Sequence, residues 1–124
     1  MKQHYGLKMN NRFKGKLAET AALFLLRLKG YRLLARNYVT GRGTTAGEVD
    51  LIVKRGNWVV FVEVKKRKTL DKAAYAILAR QRERIARGAE AFLKKNPQLA
   101  DCNIRFDAVL VEFPCKISHI RNAW

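Results

Sequence analysis

Acidic residues are scarce in this chain. Ten Asp and Glu stand against 26 Lys and Arg, which gives a formal net charge of +16 over 124 residues and a pI of about 10.5. Solubility needs a net charge of only about 2–8. The excess reads as an electrostatic footprint for a polyanion. It is steepest at the start, where residues 1–47 carry ten Lys or Arg and a single acid, Glu19. Nucleic acid is the expected partner, and an anionic membrane surface is the lesser alternative. Cysteine is scarce too. Cys102 and Cys115 are too few for a disulfide framework. With His119 their spacing matches no common zinc module. The basic stretch Met1–Lys16 has no apolar core of a secretory signal, so a reducing cytoplasm is expected. The apolar run Ala21–Leu26 is far too short to span a bilayer. There are no internal repeats, no phosphate-binding glycine loop, and no Ser or Cys nucleophile beside a base. His4 and His119 are too isolated to be assigned catalysis.

What is present suffices for one modest core. Hydrophobic residues make up 48% of the chain and charged residues 29%, as in a folded domain. Residues 1–13 read as a loose basic arm and residues 14–124 as one domain. A helix is expected over Lys14–Lys29, with Leu17, Ala21, Leu25 and Leu28 on its apolar stripe and Gly30 ending it. A strand follows over Tyr31–Val39, then a flexible loop over Thr40–Gly47. A β-hairpin comes next. Asp71 is placed to cap a long helix that reaches Lys95, with Tyr75, Leu78, Ile85, Ala89 and Phe92 as its stripe and Gln81 in line. Asn96-Pro97 stops it. A strand over Asn103–Val111 and a short one over Ile117–Ile120 complete the chain. The order is helix, three strands, long helix, strand: an α/β fold with a mixed sheet flanked by helices.

The few acids concentrate in the hairpin. A two-residue turn at Gly56-Asn57 sets Arg55 opposite Trp58, Ile52 opposite Phe61, Asp50 opposite Glu63, and Glu48 opposite Lys65. One face is then Val49, Leu51, Val53, Val60, Val62 and Val64. The other gathers Glu48, Asp50, Glu63 and Lys65. A slip of one residue would put carboxylates over valines, so the pattern selects this register. Asp50 opposite Glu63 is repulsive, and a divalent cation between them would convert repulsion into binding. Mg²⁺ prefers oxygen ligands, which Asp50, Glu63, the Val64 carbonyl and Glu48 can offer. Lys65, two residues beyond Glu63, can orient an attacking water. The alternative is a solvated face with a plain Glu48–Lys65 ion pair. Against it stand the strand-rich setting, where Asp and Glu are under-represented, and the wholly apolar partner face.

The segment Gly47-Glu48-Val49-Asp50-Leu51-Ile52, followed by Val60-Phe61-Val62-Glu63-Val64-Lys65-Lys66-Arg67, resembles the core of the bacterial YraN family. Ala18-Glu19, Arg105-Phe106-Asp107 and Ile117–Trp124 resemble further parts of that family. The resemblance implies a restriction-endonuclease-like fold of the kind found in Holliday-junction resolvases, with a D…(D/E)-x-K site. Carried onto this chain, Asp50, Glu63 and Lys65 form the metal-and-water core, Glu48 is a paired acid, and Glu19 approaches from the first helix. Gln81 stands where the family often has lysine; it can order a water but adds no charge. The implied activity is Mg²⁺- or Mn²⁺-dependent hydrolysis of DNA, at branched or structured sites, with DNA ahead of RNA as partner. A homodimer is expected by analogy with small junction-cleaving members of the superfamily, and no membrane association. The rival is a non-catalytic nucleic-acid-binding protein that retains the fold.

Basic residues placed for the phosphate backbone are Lys66, Arg67 and Lys68, with Arg42 in the flexible loop and Arg80 on the long helix. Arg82, Arg84 and Arg87 are expected mostly on that helix's exposed side. Trp58 and Tyr31 are expected to pack rather than stack on bases. Asp107 is expected to pair with Arg105.

Overall fold

The structure is a computed structural model, and it describes residues 11–66, 79–112 and 116–124. A first helix, α1 (Asn11–Leu28), precedes three strands, β1 (Arg32–Thr40), β2 (Gly47–Arg55) and β3 (Trp58–Lys66). A second helix, α2 (Ala79–Lys95), leads to β4 (Asn103–Glu112) and β5 (Lys116–Ile120). The strands form one sheet in the order β1-β2-β3-β4-β5. Every neighbour pair is antiparallel except β3–β4, which is parallel. A parallel pair needs a crossover, and α2 lies within it. The expected mixed α/β arrangement is the one observed, with the short fifth strand present. The Asp71 cap and the stripe residues Tyr75 and Leu78 lie outside the described residues.

Among the described residues, each face of the sheet carries one helix. Leu51, Val53, Val60, Val62, Val109 and Val111 pack beneath Ala18, Ala22 and Leu26 of α1. On the other face Val49, Ile52, Val59 and Phe61 meet Ile85, Ala89 and Phe92 of α2. The α1 contact is shifted from the expected stripe: Leu28 is 71% exposed and Phe24 65%. The run Ala21–Leu26 is apolar all round, so periodicity does not select a face. Ala18 and Ala22 do, because small side chains let the helix approach the sheet closely. The helix closes as expected at Gly30 (φ +94), where the Tyr31 N–H bonds the Leu26 carbonyl at 2.9 Å. At the far end of α2, the Asn96 side chain donates to the Phe92 carbonyl at 2.8 Å before Pro97.

The hairpin turns at Gly56-Asn57, with Gly56 at φ +60. Arg55 opposes Trp58 and Ile52 opposes Phe61, the expected register. The β2–β3 ladder then ends at Leu51–Val62. From there β2 runs on beside β1 to the Gly47–Thr40 pair, and β3 runs on beside β4 to Lys66–Val111. The hairpin therefore forks, with Asp50 and Glu63 just past the last pair. The fork also overturns the expected single apolar face: Val49 packs toward α2 with Ile52, while Leu51 packs toward α1. Asn37 on β1 lies between the pairs Arg36–Leu51 and Tyr38–Val49 and is left-handed (φ 52), which marks the local distortion.

Candidate functional site at the fork of the sheet

The fork opens a recess of about 170 Å³, lined by Glu48, Asp50, Glu63, Gln81, Arg84 and Ile85. Two glycines hold α2 over it. A Cβ on Gly88 would sit 2.9 Å from Val49 Cγ2 and 3.1 Å from the Glu48 nitrogen, and one on Gly47 would strike the α2 backbone at Arg87 and Gly88. Helix and strand thus meet backbone to backbone, which brings Gln81 and Arg84 to the carboxylates. Arg87 secures the same junction, donating from Nε to the Ala46 carbonyl at 2.9 Å.

Asp50 occupies the gap where the ladder has ended. Its Oδ2 accepts the Val64 N–H at 2.8 Å, so a side chain replaces the missing strand partner. Burial, and then the adjacent Glu63 carboxylate, push its carboxyl up to about 8, with the Val64 bond opposing them. A smaller push comes from Glu19. With its carboxyl raised to about 8, Asp50 is favoured in its protonated form near neutral pH. Lys65 Nζ lies 3.3 Å from Glu63 Oε2, both side chains largely shielded from water.

The expected Glu48–Lys65 pair does not form. Glu48 Oε1 binds Arg84 at 2.7 Å instead, across the mouth of the recess. Divergence of the strands beyond Leu51–Val62 carries Glu48 away from β3 and toward α2. Glu19 is near enough to act on Asp50, but it belongs to α1, and its Oε1 lies 3.5 Å from Arg36 Nε. Gln81 lines the recess as expected. Val64 enters the site through its N–H. Lys66 ends β3, half-buried, and Arg42 is exposed in the loop before β2. Arg67 and Lys68 lie outside the described residues, as does the side chain of Arg80. Arg84 and Arg87 are not simply solvent-facing. Helical periodicity places them off the apolar stripe and gives no sign that the sheet would fork beneath them.

Among the described residues, no three His, Cys, Asp or Glu side chains converge as a metal cage. The donor set is two neighbouring carboxylates, Asp50 and Glu63, that line a polar recess. That set suits a hard divalent cation, which keeps several waters and takes further oxygens from a substrate phosphate.

A second buried acid lies on the α1 face. Asp107 is wholly buried and is held by four hydrogen bonds. Arg105 donates two at 2.8 Å, His119 Nε2 one at 2.8 Å, and the Asn122 N–H one at 2.9 Å. Burial alone would raise this carboxyl, but the His119 and Arg105 bonds outweigh it and bring it down to about 2. The Arg105 guanidinium is raised in turn, chiefly by its hydrogen bonds to Asp107. The expected Arg105–Asp107 pair is present. The isolation of His119 in the sequence is undone by β5, which pairs it with Val109 beside Asp107.

The family described as "Uncharacterised protein family UPF0102" matches residues 18–111. The chain belongs to the UPF0102 family. UPF0102 is the YraN family that the hairpin motif resembles. The UPF0102 protein amb4503 of Paramagnetospirillum magneticum is 53% identical over 112 residues, 90% of this chain and 86% of that protein. A UPF0102 protein of Methylorubrum extorquens is 48% identical over 111 residues, covering 90% and 84%. One of Parvibaculum lavamentivorans is 46% identical over 110 residues, covering 89% and 80%. The UPF0102 match spans Glu19, Glu48, Asp50, Glu63, Lys65 and Gln81. Among the described residues, no helix is long and apolar enough to cross a membrane.

Proposed function

We propose that this UPF0102 chain is a metal-dependent endonuclease that hydrolyses DNA phosphodiester bonds, with branched or structured DNA as its substrate class. The observation that carries this reading is the Asp50–Glu63 pair: two neighbouring, partly buried carboxyls lining one recess, with Asp50 anchored by the Val64 N–H and pushed up to about 8 by burial and by Glu63. Asp107 has its charge matched by Arg105, whereas Asp50 meets the Val64 N–H and the Glu63 carboxyl, and the Lys65 ammonium lies against Glu63. A Mg²⁺ or Mn²⁺ ion bound there would neutralise charge on the phosphate oxygens and displace the proton from Asp50.

The chain's own groups have distinct tasks in this reading. Val64 N–H fixes the Asp50 carboxyl, and Glu63 presents its oxygens to the recess. Lys65 Nζ, held at Glu63, donates a hydrogen bond to the attacking water and favours its deprotonation. Gln81 orders water at the recess wall through its amide. Arg84 is bound to Glu48 and is positioned to exchange that carboxylate for a phosphate at the mouth. Affinity comes from the dispersed Lys and Arg of a chain with net charge +16.

The test is cleavage of linear, flapped and four-way-junction DNA with Mg²⁺ or Mn²⁺. Wild type is expected to cut at least one substrate. Asp50→Ala, Glu63→Gln and Lys65→Ala are expected to abolish cutting yet keep DNA affinity within a few-fold, because they act on the transition state. A folded wild type that binds DNA and the metal but cuts none of the substrates would leave the rival reading, a nucleic-acid-binding protein that retains the fold.

A further inference from the structure

The α1 face holds a second recess, of about 440 Å³, lined by Lys29, Tyr31, Arg55, His119 and Arg121. It differs from the carboxylate recess in sign. Among the described residues, Lys29, Arg55 and Arg121 form no ion pair with any acid. Asp107, which lies behind His119, is already saturated by Arg105 and His119.

These cations are held in place rather than free to sweep through water. Arg55 lies over the Tyr31 ring, 4.4 Å from its centroid, and donates to the Lys29 carbonyl at 3.0 Å. Lys29 Nζ is 2.8 Å from His119 Nδ1. An ammonium only donates, so Nδ1 accepts. An ionised Asp107 only accepts, so His119 Nε2–H donates to it. Both bonds demand the same neutral tautomer. A buried chain from Asp107 through His119, whose side chain is 1% exposed, thus anchors a surface lysine that would otherwise be mobile. Tyr31 is fixed from below by Arg105, which donates to its hydroxyl. Holding like charges together without a counter-charge is unfavourable, and a bound anion relieves it. Planar guanidinium groups beside an ammonium suit tetrahedral phosphate oxygens.

We infer that this recess is a phosphate site that takes one phosphate of a nucleic-acid strand, separate from the carboxylate recess on the opposite face of the sheet. The inference rests on the nucleic-acid part of the function proposed above and not on cleavage. The phosphate is either a backbone diester or a terminal monoester, and both present the same oxygens to the site.

The experiment measures affinity for a labelled 12-base-pair duplex, with and without a 5′-phosphate, in EDTA so that no cutting occurs. The variant Lys29→Gln/Arg121→Gln removes two charges from the recess, and its glutamine can still donate to His119. Lys94→Gln/Lys95→Gln removes two from the exposed end of α2 as the control. The recess pair is expected to weaken binding about tenfold and to flatten the log K against log salt slope by about 0.9 per lost contact, the control by far less. Loss confined to the 5′-phosphorylated duplex assigns a terminal phosphate, and equal loss on both duplexes assigns the backbone. Titration with inorganic phosphate is also expected to shift the His119 ring resonances saturably in wild type and not in the recess variant. Equal weakening by the two variants, with no phosphate-dependent shift at His119, would overturn the site. Cleavage is scored separately with Mg²⁺, so phosphate binding without cutting would sink the nuclease reading alone.

Discussion

Asp50 and Asp107 sit on neighbouring parts of one sheet, and burial acts on both in the same direction. Their outcomes are opposite. Asp107 receives four hydrogen bonds, from a guanidinium, an imidazole and a backbone N–H, and drops to about 2. Asp50 receives one backbone N–H, faces another carboxyl, and rises to about 8. The first is a closed account: its charge is matched inside the protein, and it ties β4 to β5 and the chain beyond. The second is left open, and an external cation is what would complete it. Burial alone therefore does not set the charge state of an acid. The count and charge of the groups facing it do.

Removing each acid should break this symmetry most visibly. Asp107→Ala leaves Arg105 without its counter-charge and the His119 Nε2–H without its acceptor, and should cost about 3–5 kcal/mol in urea unfolding. Asp50→Ala removes one of two opposed carboxyls and should leave the metal-free protein equally or more stable. A neutral Asp107→Ala would show that the network is dispensable and the contrast misplaced.

The pH dependence is expected to be somewhat smaller. Asp50 is raised above its unfolded value of 3.8, so the folded state binds the extra proton. Its contribution is present below about pH 4 and is lost as pH rises toward about 8. Asp107 is lowered, so its contribution is full above 3.8 and is lost as pH falls toward about 2. Asp50→Asn should flatten the alkaline fall and leave the acid limb intact. Mg²⁺ should raise the thermal midpoint of wild type increasingly as pH approaches 8, since cation and proton compete, and should not do so in Asp50→Asn. Thermal melts across pH 3–9 would check both limbs, and an unchanged metal response in Asp50→Asn would move the cation elsewhere.

Gly47→Ala tests how tightly α2 must sit over the open recess. Its Cβ would meet helix backbone, which cannot step aside cheaply, so a loss of about 1–3 kcal/mol is expected, with weaker metal binding because Gln81 and Arg84 lift away. The smallest effect is expected from Arg84→Ala. Its pair with Glu48 is half-exposed, and stability should change by under about 1 kcal/mol. DNA affinity, measured by anisotropy, should fall more noticeably than stability does.

Much of the site was legible in the residues themselves. Alternating valines with a Gly56-Asn57 turn set the hairpin register, because a slip of one residue would bury charges. The same pattern put Asp50, Glu63 and Lys65 together, and the shortage of acids elsewhere made their clustering informative. Gly30 and Asn96-Pro97 marked the helix ends through backbone geometry that other residues resist. The resemblance to YraN added the long-helix position of Gln81.

Other features depended on contacts between elements distant in the chain. Strand periodicity cannot announce that a ladder will stop at Leu51–Val62, because β1 and β4 compete for the same strands from outside the hairpin. That competition sent Val49 to the α2 face and gave Glu48 to Arg84 rather than Lys65. The α1 stripe was ambiguous because its apolar residues surround the helix, and packing chose the alanine face. Gly88 showed no local need for glycine until the Gly47 backbone met it. His119 looked solitary because its partners, Lys29 and Asp107, lie 90 and 12 residues away. Local backbone preference and hydrophobic alternation, which act over a few residues, were determined by the sequence alone. The charge partners of each ionisable group were decided by tertiary structure, since only the folded sheet brings them within hydrogen-bonding distance.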